Sequence, residues 1–188
     1  MAGKLLSFPQ SIQNTQALIN KIENEELSEA EIQDEVSIIV STKSGARGFF
    51  VGYLTSDLAL PDCPSPGIIS GLKSSLEITS QLLVKNLAMS SAMVLAHQRN
   101  NDFDNVRASQ RVSQRTKNLI AKMNENTIFK ELEKLNNTIL AGAGEYQDFL
   151  ERWQYDEKQK QEIERAVSSI FNEGVASSKD NPIVNEKQ

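Results

Sequence analysis

Arg107, Arg111 and Arg115 recur at every fourth position, so a helix through them stacks three guanidinium groups on one face. Lys117 and Lys122 extend the run, and no acidic residue falls between Val106 and Met123. Like charges at i, i+4 oppose helix formation by about 0.2–0.5 kcal/mol per pair, so the stretch favours a neighbouring anion. Three sources are open. One is an acidic stretch of the same chain or of a second subunit. Another is a nucleic-acid backbone, since regularly spaced arginines contact phosphates. The third is an acidic protein or a phosphorylated ligand. No aromatic residue interrupts the run, which disfavours base stacking on single strands. A counter-surface exists within the chain: Glu23, Glu25, Glu26, Glu29, Glu31, Asp34 and Glu35 lie close together with no Lys or Arg among them. By itself such a run reads as a solvated acidic face.

Other residue types that carry chemistry are sparse. His97 is the single histidine, beside Arg99 and just before Asn100. There a cation interacts favourably with a helix C-terminus, which is a structural role. Cys63 is the single cysteine and follows Asp62 in a proline-rich segment. A neighbouring carboxylate disfavours the reactive thiolate. The sequence contains no phosphate-cradling glycine loop, no dinucleotide fingerprint, and none of the helix-borne zinc or di-iron spacings. Ala141-Gly142-Ala143-Gly144 reads as a turn between helices. No catalytic, metal or cofactor residue is therefore assigned, and no cofactor is expected.

The elements that must position these side chains read mainly as helices. The chain has 188 residues, a net charge of −5, 39% hydrophobic residues and 24% charged ones. That suffices for a globular core without disulfides or metals. A net negative charge argues against a chain devoted as a whole to nucleic acid or anionic lipid. The first ten residues have too short an apolar run for a secretory signal, and a single cysteine fits a reducing, cytoplasmic setting.

Gln10 to Glu25 is weakly amphipathic. Ser28 and Glu31 form a capping box before Ile32, Val36, Ile39 and Val40 at helical spacing. Residues 36–55 also carry a strand-like alternation around Ser44-Gly45, so a β-hairpin there is the alternative. In the helical reading Gly45 caps the helix before it. Ser65-Pro66 opens another helix. Ser74 and Glu77 suggest a second capping box, ahead of a stretch from Ile78 to Ala96 whose one charge is Lys85. A helix apolar nearly all round belongs at the centre of a domain. Polar breaks make the segment unfit to span a membrane. Thr127 reads as the cap of the next strong helix, and Gly142 as its end. Between Trp153 and Ile163 the pattern reads as a kink or an exposed stretch of one long helix, closed by Gly174.

The fold expected is all-α, a single helical bundle of about seven helices over 1–174, with a disordered tail over 175–188. The function expected first is a non-catalytic protein–protein interaction, regulatory or assembly protein, self-association as a homodimer included. A nucleic-acid-binding regulator using the basic helix over 106–123 comes second, and an enzyme without a recognisable motif third.

Overall fold

A computed structural model describes residues 6–179, with side chains to Asn172. These residues form nine α-helices: α1 (Phe8–Glu23), α2 (Glu29–Val40), α3 (Lys43–Leu54), α4 (Pro66–Lys73), α5 (Leu76–Arg99), α6 (Phe103–Met123), α7 (Asn126–Ala141), α8 (Gln147–Trp153) and α9 (Glu157–Lys179). A short 3₁₀ turn, Leu60–Asp62, precedes α4, and the described residues contain no strand. The all-α class is as expected, with nine helices rather than about seven.

The hairpin alternative over 36–55 is replaced by two helices. Ser28 and Glu31 close the capping box that starts α2. The Thr42 hydroxyl accepts from the Gly45 amide to start α3. Gly45 therefore sits in the first turn of α3 instead of capping α2. Burial shows which period won. Ile32, Val36, Ile39 and Val40 are inside, whereas Ile38, which alternation would pair with Val36 and Val40, is 67% exposed.

Other boundaries moved for local reasons. Ser74 ends α4 by donating to the Gly71 carbonyl, and α5 starts after Ser75 without a side-chain cap. Thr127 lies inside α7, which follows Glu125. The chain does not run as one helix through Trp153: Gln154 adopts a left-handed φ of 50° and ends α8. The Asp156 carboxylate then accepts from the Gln159 amide, opening α9. That helix continues through Gly174 to Lys179. The remainder of the expected disordered tail lies outside the described residues.

Helix α5 is the hub, packing on α3, α4, α6, α7 and α9. Its Leu83, Val84, Leu87, Ala88 and Ala92 are wholly buried, and Lys85 reaches out over the Tyr146 and Phe149 rings. Two flanking pairs are drawn close by glycine. A Cβ on Gly48 in α3 would stand 2.5 Å from the Ser11 Cβ of α1. One on Gly71 in α4 would stand 2.5 Å from the Val36 Cβ of α2. Real side chains do not approach so closely, so these crossings need the missing methyl.

Candidate functional site

Asp102 starts α6 by accepting from the Asn105 amide. The helix then sends its three arginines to three different environments. Arg115 is inside, with 1% of its surface exposed. Its five N–H groups all find oxygen. Nε donates to Asp62 Oδ1 at 2.7 Å and Nη2 to Asp62 Oδ2 at 3.0 Å. Nη1 donates to the carbonyls of Leu54 and Ser56 at 3.0 and 2.6 Å, and Nη2 also to that of Leu58 at 3.1 Å. A planar fork matches a carboxylate two-for-two, and its remaining donors gather carbonyls freed where α3 ends. The Arg115 hydrogen bonds hold the Asp62 carboxyl below the usual carboxylate range. Nearby, the Tyr53 hydroxyl is buried without a hydrogen-bond partner, and burial pushes its pKa up.

Arg111 and Arg107 lie at the surface. Arg111 gives one N–H, from Nη1, to Asp57 Oδ1 at 3.2 Å, and Asp57 is almost fully solvated. Arg107 pairs with Asp104 one turn back in α6. Lys117 donates to the Ser169 hydroxyl of α9 at 2.8 Å. Lys122 is exposed and enters none of the ion pairs among the described residues.

The acidic run from Glu23 to Glu35 is a separate surface. Its seven carboxylates are exposed, and none forms an ion pair with the arginine face among the described residues. Glu23 accepts from the Leu60 amide, Glu26 from Asn24, and Glu29 from the Gly67 amide in the first turn of α4. Glu31 completes the α2 cap. The anions that meet the arginines are Asp57, Asp62 and Asp104 instead. Asp62 was visible in the sequence only as the neighbour of Cys63, because its pairing spans 53 residues. His97 lies in the last turn of α5 with Nδ1 3.8 Å from Asp102, and Cys63 is exposed.

Two further features were not read from the sequence. Glu131 is a buried residue whose carboxylate accepts from the Tyr146 hydroxyl at 2.7 Å and from Lys134 Nζ at 2.9 Å. Burial, followed by this hydrogen bond, raises the Tyr146 pKa. The pair fastens α7 to the start of α8. A cleft of about 210 Å³ lies beside it, lined among others by Ile139, Leu150, Gln154 and Tyr155. A family model described as "Uncharacterised conserved protein UCP020893" matches residues 7–170, from the cap of α1 into α9. The chain belongs to that family. No curated protein and no solved structure matches it. The family match takes in the Arg115 cluster, the Glu131 cluster and the cleft alike. Among the described residues no group of three or more His, Cys, Asp or Glu side chains is placed to hold a metal ion. No described helix is long and apolar enough to cross a membrane.

Proposed function

We propose that this chain is a non-catalytic protein that acts by binding another protein chain, as a regulatory or assembly factor. The observation that carries the reading is the corner where α7, α8 and α9 meet. Leu140 is 64% exposed and Trp153 48% exposed there. Each is adjacent in sequence to a residue lining the cleft, Ile139 and Gln154 respectively. Large apolar side chains left in water beside a recess, tryptophan above all, are the kind that dominate protein–protein interfaces. Supporting this, one of the three arginines that together suggested an anionic ligand, Arg115, already has every donor occupied within the chain. That leaves a nucleic-acid reading with fewer outward cations than the sequence promised, and ranks it second.

The test compares tagged wild type with Trp153→Ser and Leu140→Ser, scoring co-purified proteins by stoichiometry and self-association by light scattering. Both variants should keep the wild-type helical content. Each should lose a stoichiometric partner, or the dimer, by about tenfold or more in affinity, the hot-spot range of 2 kcal/mol and above. An unchanged partner set and unchanged mass in both variants would overturn the proposal.

A further inference from the structure

A second recess lies away from the α7–α8 corner, where α3 ends against α5 and α6. Its volume is about 250 Å³, and Leu54, Met93, Ala108 and Val112 form an apolar floor. Arg111 stands among its lining residues. The two neighbouring arginines of this face differ in a way that matters. Arg115 uses all five N–H donors on protein oxygens. Arg111, one turn away, uses one, on the solvated Asp57. Its outer N–H groups form no other hydrogen bond among the described residues. A guanidinium with unoccupied donors beside an apolar recess has two complementary parts: a fork that fits a carboxylate and a floor that fits hydrocarbon.

We propose that this recess binds a small monocarboxylate with an apolar body, its carboxylate on Arg111 and its hydrocarbon over Leu54, Met93 and Val112. The volume suits a compact ligand, since it falls just below the range of about 300–1,000 Å³ typical of drug-sized sites. Asp57 need not leave, because Arg111 can hold it through Nη1 and present Nε and Nη2 to the ligand. Even if the pair breaks, exposed ion pairs of this kind contribute little. The site is independent of the protein-binding reading, which rests on Leu140 and Trp153.

The experiment is a calorimetric titration of the full chain with sodium octanoate, alongside Arg111→Gln, Arg107→Gln and, as a probe without the charge, octan-1-ol. Saturable octanoate binding is expected in wild type and in Arg107→Gln. Arg111→Gln should weaken it by about tenfold or more, the loss expected when a charged hydrogen-bonding partner is removed. Octan-1-ol should bind no better than octanoate binds to Arg111→Gln. Circular dichroism should show Arg111→Gln folded, as its exposed position implies. Three results would each overturn the proposal: no saturable binding up to about 10 mM, a level tenfold above a millimolar Kd; equal affinity in Arg111→Gln; or octan-1-ol binding as tightly as octanoate.

Discussion

Asp156 shows how one carboxylate joins distant parts of the chain. It accepts from Arg99 Nη1 at 2.5 Å, linking the end of α5 to the start of α9, and caps α9 through Gln159. The Arg99 hydrogen bond first, and the Gln159 amide next, bring its pKa down to about 2. Asp62 and Asp102 are lowered too, by Arg115 and by Asn105 respectively. An aspartate titrates near 3.9 in an unfolded chain, so these groups bind protons more readily unfolded than folded. The contribution of Asp156 to stability is fully present above about 4 and is lost as pH falls towards about 2, and those of Asp62 and Asp102 are lost in the same direction as pH falls below about 4. Urea midpoints should therefore hold steady from neutral pH to about 5 and drop below about 4. Asp156→Asn should make that drop shallower. An acid slope identical in wild type and Asp156→Asn would show that this carboxylate is not the linked group.

At the scale of elements, period and caps were legible and close approach was not. The spacing of Ile32, Val36, Ile39 and Val40 declared α2 despite a competing alternation, and the apolar run around Leu83 and Leu87 declared α5 and its central place. The boundaries that misled were polar residues with two available roles. Ser74 could cap the following helix or close the preceding one, and it closes α4. Gln154 and Asp156 separate α8 from α9 with no glycine or proline to announce the break. The arginine spacing was legible as one face, but its partners were not, since Asp62 meets Arg115 only through the packing of α3, the 3₁₀ turn and α6. Gly48-x-x-x-Gly52 and Gly67-x-x-x-Gly71 were available signals of close helix contact. Their consequence is testable in Gly71→Ala. The new Cβ would meet Val36 backed by the packed interface of α2 and α4, so overpacking should destabilise by about 1–3 kcal/mol. Denaturant unfolding checks this, and a stability equal to or above wild type would mean that α2 and α4 part easily.

Across the whole molecule, a chain of net charge −5 carries one basic helix, and that helix divides its arginines between scaffold and surface. Arg115 ties α6 to the loop after α3 and to the 3₁₀ turn through five hydrogen bonds. Among the described residues, Arg111 and Arg107 pair with solvated carboxylates alone, Asp57 and Asp104. Global unfolding of three single variants measures this division. In urea at neutral pH, Arg115→Gln should lose about 1–3 kcal/mol, because the buried Leu54 carbonyl and the part-buried carbonyls of Ser56 and Leu58 lose their donor. Arg107→Gln and Arg111→Gln should stay within about 0.5 kcal/mol of wild type, as surface changes do. Equal losses in all three variants, or an Arg115→Gln protein as stable as wild type, would contradict the account.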